Sequence, residues 1–172
     1  MARYDASSAE CWVFTFKEGL LSPVAHDLRL RVGSFSIEVA EGAGSVVASF
    51  DLGSLSVDTP MRDGAPNPSA LSAADKLKIA GQIREDVLDS ARHPVATFRS
   101  SSVVARADGG YDLTGELTLH GVTKPLSART TLVSGRQQLD LNLHQPDFGI
   151  TPYRAMLGTL KIRADVQIRV TV

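Results

Sequence analysis

The chain is poor in the residues that most chemistry needs. Its single cysteine, Cys11, cannot close an internal disulfide and offers zinc no thiolate pair. Four histidines, at 26, 93, 120 and 144, are scattered and show no metal-ligand spacing such as HExxH. There is no GxSxG, no phosphate-cradling glycine loop and no second cysteine for redox work, so neither an enzyme motif nor a cofactor or metal site is expected. No apolar run approaches the roughly 18–20 residues that cross a bilayer as a helix. Charge of one sign is lacking too. Lysine plus arginine (18) nearly balances aspartate plus glutamate (19), and a net charge of −1 gives no general field for nucleic acid or an anionic membrane. Either partner would need a local patch. The opening MARYDASSAECWVF lacks the charged segment and long apolar core of a secretory leader. With the lone cysteine, the expectation is a cytoplasmic protein, or a periplasmic one if a leader was removed.

What the chain does hold is alternation. Its 172 residues, 43% hydrophobic and 22% charged, suffice for a single domain over 1–172 with its own core. CWVFTF (11–16) puts Trp12, Phe14 and Phe16 on one face and Cys11, Val13 and Thr15 on the other. AHDLRLRV (25–32) sets His26, Leu28, Leu30 and Val32 against Asp27, Arg29 and Arg31, after a short connection over 17–24. SFSIEVA aligns Phe35, Ile37 and Val39, and the turn EGAGS leads to VVASFDL as a fourth strand. The pattern then breaks. TPMRDGAPNPSA (59–70), with three prolines and a glycine, reads as a loop. LSAADKLKIAGQIREDVLDS (71–90) predicts a helix, with Ser72 as N-cap, Asp75 three residues on, and Ile79, Ile83 and Val87 on one face. The helical insert is placed at about 69–90, and Pro94 stops it.

Strands return in VATFRSSSVVA, YDLTGELTLH, KPLSARTTLV, QQLDLNLHQPDFGI and TLKIRADVQIRVTV. In the last, Leu160, Ile162, Ala164, Val166, Ile168 and Val170 face one way, and Lys161, Arg163, Asp165, Gln167 and Arg169 the other. Antiparallel strands of this kind hide their apolar faces in a sandwich or a closed barrel. Closure removes the long exposed edges that a sandwich would leave, which favours an eight-stranded barrel with the helix as lid or flank. Imperfect closure would leave edges able to pair two copies as a homodimer.

Several stretches carry a resemblance. GELTLHGVTKPLSA (115–128), HPVATFRSSSV (93–103) and DFGI (147–150), with AHDL, GSFSIEV and DTPMRDG near the front, resemble the YceI-like family. These are bacterial lipocalin-like barrels that bind polyisoprenoid lipids, and the resemblance spans nearly the whole chain. It implies an all-β, eight-stranded antiparallel lipocalin-like barrel, here with a helical insert between strands 4 and 5. Its long apolar interior would hold an isoprenoid, a quinone or a similar long-chain amphiphile. Two features depart from the family pattern: many members carry a secretory signal and none is expected here, and the stretch from Pro60 to His93 is longer and more helical, with Ala65 after RDG where a histidine is expected.

The expected ligand-binding residues are Trp12, Phe14, Phe16, His26, Leu28, Leu30, Phe35, Ile37, Arg62, Phe98, Phe148 and Ile162. His26 reads either as a contact to the ligand head or as a buried imidazole donating to a backbone carbonyl. The aromatic stripe of the first strand reads equally as core filling or as cavity wall. Arg62 would pair with a phosphate head, or simply sit in a solvated loop. His120 is expected to be exposed, and His144 and the arginines at 29, 31, 163 and 169 to point outward. The leading function is non-enzymatic binding, sequestration or transport of such a lipid. The alternatives are a protein-interaction module with a filled barrel core, and an enzyme acting on an apolar substrate through His26.

Overall fold

The structure is a computed structural model that describes residues 1–19, 25–158 and 160–172. Part of the expected 17–24 connection (20–24), and Thr159 at the head of the expected last strand, lie outside the described residues. The first half holds β1 (Ala2–Tyr4), β2 (Glu10–Thr15), β3 (Asp27–Val32), β4 (Phe35–Val39), β5 (Val46–Asp51), β6 (Leu55–Arg62) and β7 (Ala65–Pro66). Helix α1 (Ala73–Gln82) follows. The second half holds β8 (Val95–Ala105), β9 (Tyr111–Leu119), β10 (Val122–Val133), β11 (Arg136–His144), β12 (Arg154–Ala155), β13 (Leu160–Lys161) and β14 (Asp165–Thr171).

Twelve strands form one antiparallel sheet in the order β1-β4-β5-β8-β9-β10-β11-β14-β2-β3-β6-β7, and β12 pairs only with β13. The curl is carried by β10, whose residues 122–129 pair with β9 while 130–133 pair with β11. The expected eight-stranded closed barrel is therefore corrected to a curled twelve-stranded sheet whose two outer strands, β1 and β7, do not pair with each other among the described residues. The insert also moves. It follows β7, not a fourth strand, because LSVDTPMR (55–62), partly read as loop, is a strand.

Two local devices explain that misreading. Asp63 and Gly64 both take positive φ (52° and 78°), the tight hairpin geometry that an Asp-Gly pair favours, and so join β6 to β7. Pro60 sits beside a register shift, where Arg29 faces Thr59 and Leu30 faces Val57, so the prolyl ring occupies an irregular position near a sheet edge. The carboxylate of the extra residue, Asp58, takes the Arg29 guanidinium at 2.6 Å.

The helix begins as its sequence dictates. Ser72 accepts from the Asp75 N–H at 3.1 Å while the Asp75 carboxylate accepts from the Ser72 N–H at 3.3 Å, a reciprocal capping box. Beyond Gln82 the chain widens into a π-helical turn over Ile83–Val87, closed by Leu88 N–H donating to the Ile83 carbonyl. Arg84 ties this turn to the start of β6 by donating to the Leu55 carbonyl at 2.8 Å.

Burial follows the strand period. Leu28, Leu30 and Val32 are buried on β3, and Phe35 and Ile37 on β4. Leu30, only 2% exposed, is worth about 2 kcal/mol by apolar transfer alone. One close approach fixes the sheet's curvature: a Cβ on Gly115 of β9 would stand 2.3 Å from the Arg99 carbonyl oxygen of β8. It faces the bulge where the β8 register shifts between Ser100 and Ser102.

Candidate binding cavity

The curled sheet does not pack solid. It curls around a half-open cavity of about 840 Å³, near the upper end of the roughly 300–1,000 Å³ usual for ligand pockets. Its main wall is a set of cross-strand rows. Leu139, Leu141 and Leu143 on β11 face Val170, Ile168 and Val166 on β14. Val170 and Ile168 in turn face Cys11 and Val13 on β2, and Val13 and Thr15 face Leu30 and Leu28 on β3. The row Leu141–Ile168–Val13–Leu30 keeps one apolar face inward across all four strands. Ile79 of α1, then Ile83, Val87 and Leu88 in and just after the π-helical turn, add a helical wall.

Polar groups gather at the cavity's limits. At one end Tyr111, Thr130 and Gln137 are tied together: Thr130 donates to Gln137 Oε1 at 2.6 Å and accepts from the Tyr111 N–H at 2.9 Å. At the other end stand His26, Thr15, Gln145 and Tyr153. Gln145 there donates to the Arg163 carbonyl at 3.1 Å. Thr15 Oγ1 is buried and has no hydrogen-bond partner among the described residues. Asp75, Lys78 and Gln82 line the helical side. The Ser72 hydroxyl beside Asp75 holds that carboxyl below its ordinary range. Burial pushes the Cys11 thiol up to about 12, because no neighbour offsets the loss of water.

Seven of the expected residues line this cavity: His26, Leu28, Leu30, Ile37, Phe98, Phe148 and Ile162. His26 lies just ahead of β3, half-buried, with no hydrogen bond to a backbone carbonyl among the described residues. Five do not line it. Trp12, Phe14 and Phe16 occupy the outer face of β2, since Trp12 pairs with Arg31 and Arg169, and Phe14 with Arg29. There they are covered by guanidinium groups. Arg29 stands 4.8 Å and Arg31 5.9 Å from the Trp12 ring centre, Arg169 5.8 Å from Phe14 and Arg163 5.9 Å from Phe16. Phe35 is buried in the core, its ring 5.8 Å from that of Phe50, which lines the cavity in its place. Arg62 ends β6 in solvent, away from the lining.

His144 does point outward, to Asp165 at 2.6 Å. His120, expected in solvent, is half-buried instead, its ring 4.5 Å from that of His93 and its Nδ1 3.2 Å from the Phe148 carbonyl oxygen. Sequence reasoning missed the helical lining of Asp75, Lys78 and Gln82 and the Tyr111–Thr130–Gln137 network. Period-two alternation does mark the strand residues of that network, and only pairing reveals that they meet. Among the described residues no three metal-ligating side chains cluster, and no helix is long and apolar enough to cross a membrane.

An antiparallel sheet curled around an apolar cavity, with polar groups at its ends, defines a β-barrel-like protein of lipocalin type. The chain belongs to the YceI-like family, whose domain model matches residues 4–172. A UPF0312 protein of Ectopseudomonas mendocina is 37% identical over 94 residues, which cover 55% of this chain and 41% of that one. The match thus spans less than half the length of that relative. Among solved structures, Burkholderia cenocepacia BcnA superposes with a TM-score of 0.66 at 18% identity, covering 97% of this chain and 96% of BcnA. A polyisoprenoid-binding domain from Saccharophagus degradans, implicated in plant cell wall breakdown, gives 0.64 at 15% identity over 99% of this chain and 96% of that domain. Both likenesses bear on the fold.

Proposed function

We propose that this protein binds a long-chain amphiphilic lipid, a polyisoprenoid or a prenyl quinone, inside the cavity and carries or sequesters it without chemical change. The observation that carries this reading is the largely apolar lining of a half-open cavity of about 840 Å³. Every 100 Å² of prenyl surface withdrawn from water there gains about 2.5 kcal/mol. Family membership and the polyisoprenoid-binding neighbour support the same class of cargo. The head group is assigned to the end holding His26, Thr15, Gln145 and Tyr153, where the Thr15 hydroxyl, without a partner among the described residues, lines the same cavity as the half-buried His26 imidazole. The opposite end, where the Thr130 hydroxyl is already engaged by Gln137 and by the Tyr111 N–H, receives the tail.

The test is native mass spectrometry of the purified protein, followed by extraction and lipid analysis of the same sample. A reproducible added mass that extracts as a prenyl lipid, or one acquired on incubation with prenols or prenyl quinones, is the expected result. A bare mass that no such lipid changes overturns the reading.

A further inference from the structure

The segment between Asp147 and Asp165 has a composition that cargo binding leaves unexplained. It contains Arg154, Lys161 and Arg163 and no carboxylate. In the two-stranded β12–β13 hairpin Arg154 stands directly opposite Lys161. Like charges so placed destabilise a strand pair. Lys17 pairs with Ile162 and so shares the cavity-side face, leaving Arg154, Lys161 and Arg163 as the outward cations. None of these three makes an ion pair among the described residues, whereas Arg29, Arg129 and Arg169 are each matched by an aspartate. One acid stands beside them, Glu18, whose N–H donates to the Lys161 carbonyl at 2.9 Å, so the patch keeps a net positive charge. Asp165 holds His144. At the hairpin tip Leu157 is fully exposed, 106% by relative area, with φ of +57°. The roots of the same hairpin point the other way: Tyr153, Leu160 and Ile162 line the cavity at its His26 end.

We propose that this hairpin docks the protein, His26 end first, on the headgroup surface of an anionic phospholipid bilayer. The basic side chains complement anionic headgroups, each raising partitioning roughly fivefold, and the Leu157 side chain enters the interface between them. An apolar tip backed by a basic cluster gives reversible rather than permanent attachment. A net charge of −1 for the whole chain leaves this local patch to set the orientation. Docking goes beyond the lipid-binding reading and does not depend on what fills the cavity.

The experiment is co-sedimentation of the full chain with vesicles of phosphatidylglycerol mixed into phosphatidylcholine, against pure phosphatidylcholine vesicles. Three proteins are compared: the wild type, the double variant Arg154→Glu/Lys161→Glu and Leu157→Asp. The double variant keeps a like-charged pair across β12–β13, so the hairpin bears the same repulsion while its sign reverses. Circular dichroism and prenol loading in solution verify that each variant remains folded. The wild type is expected to sediment with the anionic vesicles only and to be released by salt. The double variant should partition at least about 25-fold less, and Leu157→Asp on the order of tenfold less, both while loading prenol normally. Wild-type indifference to anionic vesicles overturns the proposal, as does unchanged partitioning of the variants. A concentration-dependent dimer that Leu157→Asp abolishes, without vesicle binding, would assign the hairpin to a second copy instead. Prenol loading without vesicle binding overturns docking alone, and vesicle binding without loading overturns the cargo reading alone.

Discussion

Adjacent residues on β2 are expected to respond to mutation in opposite ways. Val13 lines the cavity and Trp12 lies outside it under two guanidinium groups. Val13→Trp fills the space the tail would occupy and should abolish prenol loading with the fold intact. Trp12→Ala forfeits cation–π contact worth about 1 kcal/mol and leaves loading unchanged. A titration of both variants with a fluorescent prenol, beside their melting curves, checks the pair; loss of loading by Trp12→Ala would invert the assignment of faces. At Thr15, replacement by valine removes a buried hydroxyl without a partner. The empty protein should therefore gain about 1 kcal/mol, visible as a raised melting temperature, while its preference for a polar-headed prenyl lipid over the bare hydrocarbon falls. The Cys11 thiol titrates in the unfolded chain near 9.0 and in the fold only at about 12. The fold therefore holds its proton more tightly. Its contribution to stability is complete below pH 9 and is lost as pH rises toward 12. Cys11→Ala should unfold less steeply than the wild type over that interval, and the native thiol should resist iodoacetamide until urea exposes it.

Elements tell the same story through pairing. A valine at Gly115 would drive its Cβ against the Arg99 carbonyl of β8 and the Phe98 ring, at 2.3 and 2.8 Å. The expected loss is about 3 kcal/mol, at the upper end for overpacking, with a matching fall in the urea midpoint. The alternation of β3 and β14 was legible because charge marks one parity: Arg29 and Arg31 on β3, Asp165 and Arg169 on β14. Their inward rows of Leu28 and Leu30, and of Val166, Ile168 and Val170, could be read without any partner strand. No such mark exists in CWVFTF, which is apolar or neutral at every position. Ring size pointed Trp12, Phe14 and Phe16 inward, and only the register against Arg31 and Arg169 turns them out. The capping box at Ser72 was plain in the sequence because it is local. The Asp63–Gly64 hairpin was equally local, and was hidden by the prolines around it. The helical wall was largely legible: Ile79, Ile83 and Val87 share a face at four-residue spacing, with Leu88 beside them, but the widening into a π-helical turn beyond Gln82 depends on tertiary contacts such as Arg84 to Leu55.

At the scale of the whole molecule, the proposed cargo and its shell should stabilise one another. A ligand that binds only the folded protein adds about 2.7 kcal/mol at a hundred times its Kd. Stripping endogenous lipid should therefore lower the melting temperature by several degrees, and adding prenol back should restore it; equal melting of stripped and loaded protein would mean the cavity holds nothing specific. The outermost strands carry a further consequence. Among the described residues β1 and β7 end the sheet without pairing to each other, so no hydrogen-bonded ladder joins them. Parting two margins that share no ladder ruptures no backbone bond between them. The girth of the vessel should therefore yield in one direction, like a sleeve slit along its length, and cargoes of unequal thickness are expected to spread that slit while the strands on the far side keep their register.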